Sequence, residues 1–311
     1  MNSSGKKTFL FLFLALLLSC CGVRENWQTA TLLYFDTICE VQIICLPDRF
    51  GSYQQEVHRV FTEIEKCFSP ESADFTSPLV LELFETSMKF YHDSNGFFDI
   101  TVGPLTKLWD LSGKKSSVPS QQEIKETLKY IGMDKVKIEN NSLKLISPMK
   151  LDWGGIAKGY GIDLASYSLI KMGVSSGFIN AGGDLYCWGK NPSRDLWRIG
   201  IKHPREKGYI GILSITDLAV ATSGDYQRYF IIDNVRYHHL LNPFTGYPSQ
   251  GKQSVTVIGP KTTYCDALST ALFVSSHPER VIEKYPEYGA IVVDSEGKVR
   301  RVGKLYPFSL Q

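Results

Sequence analysis

The sequence predicts an α+β protein, a single domain in which helices pack on a mixed, largely antiparallel sheet. Two patterns carry this prediction. Apolar residues at helical spacing dominate the first half, and short β-branched and aromatic runs bounded by turn residues fill the second. Between them lies Leu151-Asp152-Trp153-Gly154-Gly155-Ile156-Ala157-Lys158-Gly159-Tyr160-Gly161-Ile162-Asp163-Leu164, where four glycines, a lysine and two aspartates lead into a helix. Such a turn lets backbone amides and a cation approach a phosphorylated ligand. It is neither G-x-x-x-x-G-K-[ST] nor G-x-G-x-x-G, so the two familiar nucleotide loops are excluded.

The N-terminus reads as a targeting segment. Lys6 and Lys7 precede an uncharged apolar run, Phe9 to Leu18, followed by Ser19 and Cys20. Ten apolar residues are too few to span a bilayer, which needs about 20, so residues 1–19 are expected to be a signal peptide. Leu17-Leu18-Ser19-Cys20 resembles the cleavage box of bacterial lipoproteins, in which the cysteine is acylated; ordinary secretion with cleavage nearby is the alternative, and lipid anchoring at Cys20 is favoured. The expected organisation is a lipidated tether over 20–30 and a domain over 31–311. The chain would be exported and lipid-anchored to a bacterial membrane, facing the periplasm or the extracellular side.

Removing 19 of 311 residues leaves 292, a size at which mixed α/β enzymes are often one unit. The formal charge of +2 includes Lys6 and Lys7, so the remainder sums to zero. With no basic patch, nucleic acid is not an expected partner. The cysteines (Cys20, Cys21, Cys39, Cys45, Cys67, Cys187 and Cys265) form no C-x-x-C or zinc spacing, and neither a bridge nor a catalytic thiol is read from them.

Along the domain, Thr31 to Ile44 reads as strand. Val57, Val60, Phe61, Ile64 and Phe68 form one helical stripe, and Leu79, Leu83, Phe84, Met88 and Tyr91 another. Ser112 to Ser120 is a polar connection. Ser120 with Glu123 makes a capping box for a helix closing near Gly132. Asn140-Asn141 suggests a hairpin. Ile156, Tyr160, Leu164, Tyr167 and Ile170 suit a helix ending at Gly173. Strands follow around 178–180, 197–201, 209–216, 229–232 and 254–258, with turns at Asp233-Asn234 and Glu296-Gly297. A helix over about 264–275 interrupts them.

Four further segments can carry chemistry. Asp266 and Thr270 are four apart and share one helix face, so a carboxylate and a hydroxyl could hold one hard cation. On spacing alone, an aspartate near a helix start and a threonine bonded to its own helix are the commoner meaning. Ala219-Val220-Ala221-Thr222-Ser223-Gly224-Asp225-Tyr226 leaves a strand for a small polar turn. His238 and His239 precede Leu240-Leu241-Asn242-Pro243-Phe244-Thr245-Gly246, and one of two neighbouring strand residues must point inward. Gly96-Phe97-Phe98-Asp99-Ile100-Thr101-Val102-Gly103-Pro104-Leu105 joins aromatics to an acid, which suits a planar heterocycle or a core.

Together with Ile179-Asn180-Ala181-Gly182-Gly183-Asp184 and Asp266-Ala267-Leu268-Ser269-Thr270-Ala271, these segments resemble, in order, the FAD:protein FMN transferase (ApbE-like) family. The resemblance runs from about Tyr34 to Phe273. It implies magnesium-dependent transfer of the FMN part of FAD to a threonine of a target flavoprotein, with release of AMP. The implied acceptor is a flavoprotein subunit carrying a Ser/Asp-Gly-Ala-Thr-like motif. The implied metal ligands are Asp266, Thr270 and the backbone carbonyl of Gly155, Asp266 counting as catalytic through the cation. Asp152 and Lys158 match flavin-dinucleotide contacts; Phe97, Phe98 and Asp99 match a segment lining the nucleotide; Leu240 would pack on FAD. His239 matches the motif histidine and, with an ordinary pKa of about 6.5, is the expected general base.

The sequence departs from the family pattern twice. Phe35-Asp36-Thr37 stands where Met-Gly-Thr is common, placing Phe35 at the FAD site, and Ser69 to Asp74 replaces a longer Ser-Glu-Leu stretch. Two alternatives use the same features: FAD pyrophosphatase activity, with water replacing threonine and FMN and AMP as products, and a non-catalytic flavin-binding lipoprotein.

Overall fold

Alternating burial builds the first element of the fold. The computed structural model describes residues 24–69, 74–110 and 117–311. The signal segment and Cys20 lie outside these residues, as do most of the Ser69–Asp74 stretch and part of the 112–120 connection. Strands β1 (Asn26–Tyr34) and β2 (Thr37–Cys45) pair antiparallel in unbroken register from Asn26 with Cys45 to Tyr34 with Thr37. The expected single strand is therefore a hairpin. Its turn, Phe35-Asp36, takes φ of 56° and 54°, the left-handed conformation of a two-residue hairpin turn. Neither residue is the glycine or asparagine that normally advertises such a turn. The expected tether over 20–30 is corrected too, because Asn26 to Ala30 belong to β1.

Helices α1 (Phe50–Phe68) and α2 (Pro78–Asp93) follow; α1 buries its whole expected stripe, whereas α2 buries Val80, Leu83, Phe84, Ser87 and Phe90, leaving Leu79, Met88 and Tyr91 of the expected stripe partly exposed. Then come α3 (Gly103–Trp109), α4 (Gln121–Leu128), and the small hairpin of β3 (Lys137–Glu139) and β4 (Ser142–Lys144) around Asn140-Asn141. Ser120 and Glu123 form the capping box on α4 in both directions. Helix α5 (Ala157–Lys171) leaves the glycine-rich turn, and Gly173 beyond it has φ 95°.

The second half supplies β5 (Gly177–Ala181), β6 (Asp184–Trp188), β7 (Trp197–Lys202), β8 (Tyr209–Ile215) and β9 (Leu218–Gly224). Strands β10 (Tyr229–Ile232) and β11 (Val235–His238) form a separate ribbon turned by Asp233-Asn234. Strand β12 (Lys252–Gly259), α6 (Thr262–Val274), α7 (Pro278–Ile282), β13 (Gly289–Asp294), β14 (Val299–Gly303) and β15 (Phe308–Leu310) complete the chain.

The main sheet has eight strands in the order β1-β2-β5-β6-β9-β12-β13-β14, and every neighbouring pair is antiparallel. One face packs α1, α2, α5 and α6 over Val41, Ile43, Ala221, Val255, Val257 and Val292. The other carries Val220, Ile258, Ile291 and Val293 beneath the small sheet β15-β8-β7, anchored by Trp197 and Leu213. Strands β9, β12 and β13 are covered on both faces, so their residues are buried almost without a break, polar ones such as Ser254 and Thr256 included. Helix α6 is buried along almost its whole length between sheet and α5, so its few polar residues must find partners inside the protein. A satellite core of Leu105, Trp109, Ile124, Ile131 and Leu241 joins α3 and α4 to the β10–β11 ribbon. No helix among the described residues is long and apolar enough to cross a membrane.

Candidate functional site

The glycine-rich turn is held open from beneath. The Asp152 carboxylate accepts the Gly154 N–H at 2.9 Å and the Thr106 hydroxyl at 2.7 Å, while the Asp152 N–H donates to the Ile100 carbonyl at 2.6 Å. Asp152 thus shapes the turn and ties it to α3. Gly155 faces α6: a β-carbon there would lie 3.0 Å from Thr270 Oγ1 and 3.5 Å from the Phe98 ring. Thr270 Oγ1 is itself 3.2 Å from Ser223 Oγ, which bonds Ser269 Oγ at 2.8 Å. The turn, the end of β9 and α6 therefore meet in a cluster of oxygens.

One helical turn before Thr270, Asp266 is 4% exposed. Its Oδ2 accepts the Gly159 N–H at 3.1 Å and lies 3.6 Å from Lys158 Nζ. Lys158 makes a closer pair with Asp184 Oδ2 at 2.5 Å, and Asp184 Oδ1 accepts the Thr222 N–H at 3.3 Å. Burial pulls the Lys158 ammonium down, but Asp184 and Asp266 outweigh it and hold the group protonated. Burial likewise pushes the Asp266 carboxyl up, opposed by Lys158 and reinforced by Asp184. Two carboxyls flank one ammonium, and a further cation beside them would favour the ionised form of Asp266. Asp184 was not singled out as a site residue in the sequence; its signal was its place closing the Ala-Gly-Gly-Asp turn after β5.

The expected nucleotide-lining segment divides. Phe97 is half-buried, edge-on to Phe244 at 5.2 Å, and lines a cleft of about 680 Å³ with Asn242, Ser249, Gln250 and Lys252. Phe98 is 2% exposed and packs edge-on to Phe90, so it backs Gly155 from within the core and does not line the open surface. Asp99 is buried too; its Oδ1 accepts the Thr101 N–H at 2.7 Å and the Thr101 hydroxyl at 2.5 Å. Burial raises its carboxyl to about 6 against those bonds. Its bonding is that of a structural turn. Phe35 packs edge-on to Phe61 at 5.0 Å and reaches to 3.1 Å of where a Gly161 β-carbon would stand, against α5.

At the end of β11 the two histidines separate as strand geometry requires. His238 is buried, with Nε2 donating to the Ser249 carbonyl at 2.6 Å and Nδ1 accepting the Leu240 N–H at 3.3 Å. His239 is held by its backbone, whose N–H donates to the Arg228 carbonyl at 3.1 Å, and its buried Nδ1 has no partner. Burial, then the charges of His238 and Arg228, lower its pKa to about 4, while a backbone contact at Arg228 and then Asp152 act in the opposite direction. The imidazole is therefore a neutral free base at pH 7. Leu240 is 6% exposed and belongs to the main core. The five cysteines of the described residues (Cys39, Cys45, Cys67, Cys187 and Cys265) are free thiols, and four are buried.

Comparison with known proteins agrees with this architecture. The ApbE family pattern matches residues 35–292. Relatives include FAD:protein FMN transferases of Haemophilus influenzae (30% identical over 65% of this chain and 60% of that protein) and Treponema pallidum (29% identical over 72% and 69%). The alignments thus span between about three fifths and just over two thirds of those relatives' lengths. Among solved structures, the ApbE protein of Thermotoga maritima superposes with a TM-score of 0.82 at 31% identity, over 89% of this chain and 97% of that one. The flavin transferase ApbE of Vibrio cholerae does so with a TM-score of 0.79 at 25% identity, over 89% and 96%. With the family pattern spanning most of the chain and the whole fold shared, this chain belongs to the ApbE family.

Proposed function

We propose that this protein transfers the FMN moiety of FAD to a threonine hydroxyl of an acceptor flavoprotein, releasing AMP, with Mg²⁺ as its metal. The observation that carries the reading is that α6 lies along the glycine-rich segment, with Thr270 at Gly155 and, one turn earlier, Asp266 at Gly159. The proposed donors are all oxygens: the Asp266 carboxylate, the Thr270 hydroxyl and the Gly155 carbonyl. That set fits magnesium, which keeps open positions for water and phosphate oxygens. Among the described residues no group of three or more His, Cys, Asp or Glu forms an alternative metal centre. A divalent cation bound there would polarise the phosphorus under attack and offset charge developing on the departing AMP.

The protein's own residues do the rest. The missing side chain at Gly155 lets Thr270 of α6 approach the turn. Lys158, kept protonated by its two carboxylates, adds positive charge beside the cluster. His239, a neutral imidazole with a free buried nitrogen, takes the proton of the acceptor threonine as its oxygen attacks the FMN-side phosphorus. The new bond is a threonine–FMN phosphoester; the bond that breaks is the phosphoanhydride, and AMP leaves with the bridging oxygen. Phe35 and Phe97 offer aromatic surface to the ring systems of FAD. The acceptor is a flavoprotein segment with a Ser/Asp-Gly-Ala-Thr-like motif, met outside the cytoplasm by a protein anchored through Cys20.

The test is incubation of the chain with FAD, Mg²⁺ and an acceptor domain, following acceptor mass and AMP together. Mass gain equal to FMN with stoichiometric AMP supports transfer. FMN and AMP with an unmodified acceptor would make water the true nucleophile. FAD left intact would refute both.

A further inference from the structure

Asp163 lies on α5, one turn beyond Gly159, yet its side chain serves α6. Its Oδ1 accepts the Thr262 N–H at 2.8 Å; its Oδ2 accepts the Thr263 N–H at 2.9 Å and the Thr263 hydroxyl at 2.6 Å. These are the first backbone donors of α6, which no residue of their own helix can satisfy. The local N-cap position, Lys261, supplies no side-chain bond, although its φ of −126° and ψ of 133° are those of a capping residue. The cap comes from a helix about 100 residues earlier in the chain.

The same face of α5 touches α6 a second time at Gly159. A β-carbon there would lie 2.5 Å from the Thr262 carbonyl oxygen and 2.9 Å from the Asp266 β-carbon, and the Gly159 N–H donates to Asp266. Two contacts one turn apart on α5 therefore hold α6 against sliding along its own axis. The Asp266 carboxylate and, one turn on, Thr270 beside Gly155 depend on that axial position. A cap from within α6 would stabilise the helix equally but would not tie it to the helix that carries the glycine-rich turn.

We propose that Asp163 is a positioning residue: its cap on α6 sets the alignment of Asp266 and Thr270 with Gly155, and so the affinity of the cation site. This rests on the magnesium reading above. Groups that orient ligands from behind a metal site change its affinity by about 10- to 100-fold when removed.

The experiment titrates the full chain with Mn²⁺, reading free Mn²⁺ by electron paramagnetic resonance, alongside thermal unfolding and amide exchange over 262–270. Asp163→Ala and the isosteric Asp163→Asn should both bind Mn²⁺ more weakly, Asp163→Ala by about 10- to 100-fold. Adding Lys261→Asp to Asp163→Ala supplies a local cap; it should restore melting temperature and exchange protection but not Mn²⁺ affinity. Undiminished affinity in Asp163→Asn, or affinity recovered by the local cap, would overturn the positioning role while leaving the cation site standing. A wild-type protein that takes up no Mn²⁺ would overturn the cation site and the role together. If Asp163→Ala alone does not fold, the locally capped double variant and Asp163→Asn decide.

Discussion

The two sides of the candidate site are built on opposite principles. On the helix side, the buried Asp184 and Asp266 share the half-buried Lys158 and accept backbone N–H groups. On the ribbon side, His239 follows the β10–β11 hairpin, and its buried Nδ1 makes no hydrogen bond within the protein. A group whose partners are all internal is rigid and holds its charge through electrostatics fixed at folding. An orphaned buried nitrogen costs stability and persists where a ligand or reacting group is its partner. On the proposed function, the first side would hold the cation and the second would react.

The largest effect that would sharpen this contrast is at Asp266. Asp266→Ala should abolish Mg²⁺-dependent release of AMP, measured by chromatography of the nucleotide products; turnover at the wild-type rate would remove Asp266 from the cation site. Next comes the reactive side. His239→Gln should slow FMN transfer by about 10²- to 10⁴-fold, the usual worth of a general base, with FAD affinity retained. Equal loss of affinity and rate would turn His239 into a binding residue and erase the distinction between the two sides.

Smaller effects probe the supports. Gly159→Ala should cost about 1–3 kcal/mol in denaturant unfolding, because the added methyl group meets the Thr262 carbonyl and the Asp266 side chain. An unaltered midpoint would mean that the α5–α6 crossing yields freely and is no rigid frame. The smallest concerns pH. His239 has a folded pKa of about 4, below the ordinary 6.5, so between those values the unfolded chain takes up a proton that the folded protein refuses. That contribution to stability is present above pH 6.5 and is lost as pH falls towards 4. Melting temperatures of wild type and His239→Gln should therefore diverge in slope across this window, the wild type falling more steeply; parallel curves would show that the imidazole is not desolvated.

Much of the fold was legible because periodicity reports burial directly. The stripe of α1, the existence of α2, the capping box of α4 and the Asn140-Asn141 and Asp233-Asn234 hairpins all stand where patterning and turn chemistry place them, though α2 turns Val80 and Phe90 inward in place of Leu79, Met88 and Tyr91. The Phe35-Asp36 turn did not announce itself, since two left-handed non-glycine residues in an apolar run carry no local mark. Within the site, the glycine-rich turn and the Asp266–Thr270 spacing were legible as donors. Asp184 and Asp163 were not, since a carboxylate's partner across the fold leaves no trace in its neighbours. The two phenylalanines of Gly96-Phe97-Phe98 illustrate the same limit: adjacent in sequence, one lines a cleft and the other is sealed in the core.

By itself, then, the sequence determined the α+β class, the glycine-rich turn and the presence on one helix of a carboxylate and a hydroxyl a turn apart. These follow from local rules of spacing, backbone freedom and side-chain chemistry. The tertiary structure alone decided that this helix lies against that turn, that Lys158 is shared by Asp184 and Asp266, and that His239 keeps a free nitrogen. Those facts depend on contacts between segments tens to a hundred residues apart, where packing and desolvation set geometry and charge.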